Sequence, residues 1–370
     1  MALYPSLIHD ILRNVHYPGN GKNLVDAGMV EDDMRIDGKK VSFSLIFDKP
    51  TDPFIKSTVR SAEATIRQAL GNEVEIDGNI AVKIRHPRPE RPNPLPQVKN
   101  IVGVSSGKGG VGKSTVAANL AVSLASLGYK VGLLDADIFG PSIPKMFGVE
   151  DAPVYINKVD GRDLIVPVER YGVKLLSIGF LVDRDKPVLW RGGMASNALR
   201  QLISDADWGE LDYFLIDMPP GTSDIHLTLV QTLPITGVVV VSTPQEVALA
   251  DARKGIAMFR TEQVDVPVLG IVENMAWFTP APHPDEKYYI FGEGGAERLA
   301  AELHTPLLAQ IPLVADICTK SDGGTPVSLV GEGEAPYPET AAFRRLAENV
   351  VAAVDRRNIE LPPTQKVEVH

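Results

Sequence analysis

The chain has almost no sulfur to work with: one cysteine, Cys318, among 370 residues. That excludes an intrachain disulfide and fits a reducing compartment. No apolar run approaches the roughly 18–20 residues that span a bilayer. The opening "MALYPSLIHDILRNVHYPG" interrupts its apolar positions with charge, so it lacks the core of a secretion signal, and "LPPTQKVEVH" holds no amphipathic anchor. The expectation is a cytoplasmic protein without a membrane partner. Positive charge is also short: a net charge of −10 argues against a generic nucleic-acid partner, which favours basic faces.

What remains is ordinary globular material, 44% hydrophobic and 23% charged. Prolines crowd the segment "RPERPNPLPQ", and proline denies a chain both helix interiors and central strands. The reading is therefore a small domain over 1–85, a linker over 86–97, a large domain over 98–357 and a tail over 358–370. The first segment reads α–β–β–α–β, an α+β module with a hairpin turn at Asp37-Gly38. Beyond the linker, short β-branched runs such as "GVVVVS" alternate with helical stretches. Runs apolar on both faces suit central parallel strands covered by helices, so the fold class is α/β, a doubly wound, mostly parallel sheet. Ligand is expected at the carboxyl ends of its strands.

The stretch "GVSSGKGGVGKST" matches G-x-x-x-x-G-K-[ST], with a strand before it and a helix after it, the context that motif requires. Glycines let backbone N–H groups curl around phosphate oxygens, and a helix start adds a favourable dipole. The nucleotide-binding residues are then Gly107, Lys108, Gly109, Gly110, Val111, Gly112, Lys113, Ser114 and Thr115. Lys113 is placed to neutralise β/γ-phosphate charge and the Ser114 hydroxyl to ligate Mg²⁺. Two further strand ends carry carboxylates: "GLLDAD" ends in Asp135 and Asp137, and "YFLIDMPPG" places Asp217 after four apolar residues. A single strand-end aspartate serves turns. Three, each after a strand run of the same sheet, are hard to explain as turns and point to a nucleotide hydrolase fold.

Lys108 is a second lysine inside the loop. Here the chain resembles the deviant-Walker P-loop ATPases, the MinD and ParA group, whose K-G-G-x-G-K-[ST] signature runs from Lys108 to Ser114. The resemblance implies that Lys108 reaches the partner subunit's nucleotide in an ATP-dependent homodimer, a cation delivered in trans like an arginine finger. It also implies that Asp137 orients the attacking water, making Lys108, Lys113 and Asp137 catalytic, and that Asp135 and Asp217 serve Mg²⁺ with Ser114, partly through water. It further puts Asn274 and the loop after Pro312 at the adenine. No Asn-Lys-x-Asp guanine signature stands at Asn274, so ATP is preferred over GTP.

"LLDADIFGPSIPKMFG", "WRGGM", "MPPGTSD" and "IFGEGGAERLA" narrow the resemblance to the Mrp/ApbC branch, with residues 1–85 similar to the iron–sulfur-assembly domain often fused ahead of it. The branch implies an iron–sulfur cluster carrier or assembly factor that delivers clusters to apoproteins. Members usually carry a Cys-x-x-Cys between "ENM" and "IFG"; here Ala281-Pro282-His283-Pro284 stands in its place, and Asp52 replaces the small domain's usual cysteine before Pro53. His283, Asp285 and His304 are non-thiolate candidates, but a lone loop histidine is more often solvated. Cys318 is expected to be a small buried residue, as free cysteines commonly are. The alternative reading is a ParA- or MinD-like nucleotide-gated scaffold that carries no cluster.

Overall fold

The protein is described by a computed structural model covering residues 3–47, 49, 51–71, 73–84, 93–138, 140–159, 161–180, 192–261, 264–280, 283, 286–329, 337–364 and 366. The linker residues 86–92, the tail residues 367–370, Trp190 and Arg191 of "WRGGM", and Ala281, Pro282, Pro284 and Asp285 lie outside the described residues. Two units are present, Met1–Arg91 and Pro92–His370.

In the first unit, α1 (Pro5–Leu12) precedes β1 (Arg35–Asp37) and β2 (Lys40–Phe47), followed by α2 (Ile55–Leu70) and β3 (Ile80–Ile84). The β1–β2 hairpin turns through Gly38, whose φ of 60° is cheap only for glycine. β2 pairs parallel with β3 across the α2 crossover. Ile8, Leu12, Leu45, Phe47 and Ile66 close its core.

The second unit is built on β4 (Val98–Ser106), α3 (Lys113–Ser126), β5 (Val131–Asp135) and the short α4 (Ile143–Met146). A ribbon of β6 (Tyr155–Val159) and β7 (Arg162–Val166) follows, then β8 (Val168–Arg170), β9 (Val173–Ser177) and α5 (Gly192–Ser204). The chain continues through β10 (Leu211–Asp217), α6 (Asp224–Thr232), β11 (Gly237–Ser242), α7 (Glu246–Phe259), β12 (Val268–Phe278) and α8 (Gly295–Glu302). β13 (Leu307–Leu313), α9 (Ala315–Asp322) and α10 (Pro338–Glu360) complete it. The eight-stranded sheet runs β13-β12-β11-β4-β10-β5-β9-β8, parallel in every pairing except β8 with β9.

Both faces are covered, as the all-apolar strands require. All six residues of β11 are buried. One core layer joins the sheet to α5, α6, α7 and α8; the other joins it to α3, α4 and α10. α3 is buried almost all round, so its sequence carries little amphipathic signal. Register decides what the fold does with its charges: Asp217 of β10 lies beside Val104 of β4 and beside Asp135 of β5. The connection from β4 leads to β5 on one side, while that from β10 crosses back to β11 on the other. The crevice between these diverging connections opens at the end of β4, where the glycine loop begins.

Among the described residues no helix is long and apolar enough to cross a membrane. α10 lies against the sheet with Phe343, Leu346, Val350 and Val354 fully buried, so this helix is part of the second unit's core. Phe343→Ala should therefore lower stability by about 3–5 kcal/mol, the range for truncating a buried aromatic, read as an earlier midpoint in urea denaturation. A change under about 1 kcal/mol would place α10 outside the cooperative unit.

Candidate functional site

β4 delivers the chain into the crevice at Ser106, and α3 begins at Lys113. The loop between them is fixed from two sides. At Gly107 a Cβ would collide with the backbone of α7 at Asp251 and Ala252. At Gly112, where φ is 81°, it would collide with the Asn274 amide nitrogen. These glycines are thus dictated by close approach as well as by the need to expose N–H groups. Asn274, 5% exposed within β12, donates from Nδ2 to the Val111 carbonyl at 2.9 Å. Ser106 Oγ donates to the Lys108 carbonyl at 2.9 Å and braces the first turn.

Beneath the loop, Lys113 Nζ lies 2.6 Å from Asp217 Oδ1, with both side chains buried. Lys113 Nζ also lies 3.2 Å from Ser114 Oγ. Asp135, fully buried, accepts at Oδ1 from the Asp137 N–H (3.2 Å), and at Oδ2 from the Ile143 N–H (3.2 Å) and Ser177 Oγ (3.0 Å). Burial raises the Asp135 pKa, and the adjacent Asp217 carboxylate raises it further. Burial likewise raises that of Asp217, opposed by the Lys113 ammonium. Two buried carboxylates against one ammonium leave a site short of positive charge. Asp217 Oδ2 has no hydrogen-bond partner among the described residues. An orphaned buried carboxylate oxygen near the Ser114 hydroxyl is the hard-oxygen donor set that Mg²⁺ takes, so the residues fit that ion.

The structure brings Gly107–Thr115, Asp135, Asp137, Asp217 and Asn274 to one crevice. Asp137 is half-buried and lies close enough to Asp217 to raise its pKa. Lys108 is half-buried too, while Gly109 and Gly110 are exposed at the mouth. Cys318 corrects an expectation: it is exposed on α9, with Sγ 3.7 Å from Asp322 Oδ2. It occupies a helix's outer face, where nothing packs against it as in a core. His283 pairs with Glu286 at 3.4 Å on the surface. Among the described residues no group of three or more His, Cys, Asp and Glu is arranged to hold a metal. Asp52, in the small unit, accepts from the Tyr17 hydroxyl and from the Phe54 N–H at the start of α2.

Two residues escaped the sequence reading. Glu273, 1% exposed, accepts from the Ala296 N–H (2.6 Å) and from Gln310 Nε2 (2.8 Å). His226, 1% exposed in α6, accepts at Nδ1 from the Ser223 N–H at 3.2 Å, filling the Glu/Gln position of a capping box just after the Pro219-Pro220-Gly221 loop. The capping spacing was the available signal, but a histidine does not announce that role. Burial lowers the His226 pKa to about 4, aided by the Lys113 charge.

A family model described as "ParA: NUBPL iron-transfer P-loop NTPase" matches residues 97–351, and one described as "Iron-sulfur cluster assembly protein" matches residues 6–78. The iron–sulfur cluster carrier protein of Synechocystis is 44% identical over 337 residues, covering 91% of this chain and 93% of its own. That of Escherichia coli K12 is 51% identical over 257 residues, covering 69% and 67%. Among solved structures, a nucleotide-binding protein of Archaeoglobus fulgidus in complex with ADP is 42% identical, with a TM-score of 0.55 over 66% of this chain and 95% of its own. The MinD protein of Pyrococcus horikoshii, with Mg-ADP, shares the fold alone at 22% identity, with a TM-score of 0.50 over 70% and 98%.

His226 yields a test. In the unfolded chain it titrates near 6.5, in the fold near 4. Below pH 6.5 the unfolded state takes up a proton that the fold refuses, so stability falls with pH and the loss levels off near pH 4. His226→Gln keeps an acceptor for the Ser223 N–H without that proton. It should therefore gain on the wild type as pH drops from 6.5 to 4, by up to about 3 kcal/mol, read from urea midpoints along a pH series. Parallel pH curves would contradict the buried, neutral imidazole.

Proposed function

This chain belongs to the NUBPL-type iron-transfer P-loop NTPase family, and from that we propose that it is an ATP-hydrolysing assembly factor for iron–sulfur proteins that works as a homodimer and delivers to apoprotein acceptors. The observation that carries the ATPase reading is the buried Lys113–Asp217 pair under a glycine loop at the sheet's switch point, with Asp135 ending the next strand and Asp137 just beyond it. The loop's N–H groups receive the β/γ-phosphates, and Lys113 exchanges its carboxylate partner for phosphate oxygen. Ser114 and Asp217, with Asp135 behind them, would hold Mg²⁺, which when bound neutralises charge on those phosphates. Asp137 orients a water whose oxygen attacks the γ-phosphorus. The bond to the bridging oxygen breaks, ADP leaves, and the water's proton departs through Asp137. Lys108, at the loop's mouth, is assigned to the second copy's γ-phosphate, where negative charge develops. Asn274 supports the loop directly and stands next to the expected adenine position.

The carrier role is supported by the relatives' names and by the matched assembly domain. One observation favours a second reading, a nucleotide-gated scaffold without a cluster. The chain's one thiol, Cys318, is on α9, so two copies bring two thiolates where a four-iron cluster takes four.

Two experiments follow. Lys113→Ala should abolish ATP binding in calorimetry, whereas Lys108→Ala should retain binding but lower kcat by about 10³-fold, the scale of a trans-acting cation, and lose ATP-dependent dimerisation in light scattering. Unchanged turnover in Lys108→Ala would remove the trans role. Anaerobic reconstitution with iron and sulfide, followed by transfer to an apo-acceptor, separates the two readings. Bound iron near one cluster per dimer with acceptor activation supports the carrier. Colourless protein that still dimerises with ATP supports the scaffold.

A further inference from the structure

The middle of β12 touches two parts of the molecule through consecutive side chains. Successive strand residues face opposite sides of a sheet, and here they do so with buried polar groups. Asn274 points into the layer of α3 and grips the phosphate loop at the Val111 carbonyl. Glu273 points into the layer of α7 and α8, where its carboxylate takes the Ala296 N–H in the first turn of α8 and the Gln310 amide of β13. Among the described residues no lysine or arginine is bonded to Glu273; a helix N-terminus and an amide are its hydrogen-bond partners, the arrangement that makes a buried carboxylate tolerable.

The next residue, Met275, has φ of 56°, a left-handed conformation uncommon for a non-glycine side chain. There the pairing of β12 with β13 loses register, between Asn274 and Phe278. The strand then leaves the sheet for the excursion that ends at α8. The base of that excursion is closed by reciprocal backbone hydrogen bonds between Phe278 and Tyr288, at 2.9 and 2.8 Å. α8 is tied in turn to α7, the helix on which Gly107 rests, by Arg253 with Glu302 and Arg298 with Glu246. Local strain between two anchored points is a feature of segments that switch between arrangements.

We infer that Glu273 and Asn274 are positioning residues that form a two-sided clamp, through which nucleotide in the phosphate loop sets the position of α8. The proposal rests on the nucleotide-binding reading of the loop. Neither residue touches reacting atoms. Asn274 acts on ATP through Val111, and Glu273 acts on α8 through its N-terminus.

The test is amide hydrogen exchange of the full chain with and without Mg²⁺ and adenylyl imidodiphosphate, with occupancy fixed by calorimetry. In the wild type, exchange in peptides covering residues 293–302 should slow at least about fivefold on nucleotide binding, the lower end of usual coupling. Glu273→Gln leaves one of the two donors facing an amide N–H₂. It should bind the analogue within about twofold of the wild type, yet lose most of the α8 response. Asn274→Ala cuts the other end: it should raise the KM for ATP and lose the same response, so the test stands if the glutamate variant does not fold. Bound analogue with no change at α8 in the wild type, or a full response in either folded variant, overturns the clamp. A wild type that binds no analogue overturns the nucleotide reading itself.

Discussion

One buried ion pair organises the second unit. Lys113 and Asp217 meet at 2.6 Å in the interior, and a lysine and an aspartate taken out of water are tolerable only together. Every neighbouring feature serves that pairing. β10 must end level with β4 and β5, the glycines must let the loop fold over the lysine, and α3 must start where it does. A second carboxylate, Asp135, is held alongside by Ser177 and by the Asp137 and Ile143 amides. The result is a pre-built anionic floor beneath a rim of backbone donors. Such a site is incomplete in charge until a cation and a phosphate arrive.

The same loop is also a mechanical junction. Gly107 rests on α7, Gly112 leaves room for Asn274, and Val111 is held by that amide. A phosphate loop seated on two elements in different layers passes small movements to both, because packed layers shift as units and do not deform smoothly. Glu273 extends one of those contacts to α8. α9 follows β13 directly and packs toward α4, and the chain's one thiol is exposed on that helix.

Much of the site was legible as sequence because its chemistry is local. The run from Gly107 to Thr115 specifies a turn, a donor rim and a helix start within nine residues, and Asp135 and Asp217 each follow an apolar strand run. The small unit's α–β–β–α–β order was legible for the same reason, its hairpin turn being written at Gly38. Less visible were β9, α5 and α10, which are ordinary apolar or mixed segments whose place depends on what they cover. The role of His226 was hidden because any acceptor at the third helical position serves a capping box. Glu273 reads as a strand-end carboxylate until α8 and β13 are seen around it.

By itself the sequence determined the expectation of a phosphate site, since a glycine loop, a lysine and strand-end aspartates act through spacing along the chain. It also determined the scarcity of thiols. Only the tertiary structure decided that Asp217 rather than Asp135 takes the lysine, that Asn274 holds the loop, that Glu273 faces α8, and that Cys318 looks outward. Those outcomes depend on sheet order and register, which no local pattern encodes and which bring Lys113 to Asp217 and Asn274 to Val111 across more than a hundred positions.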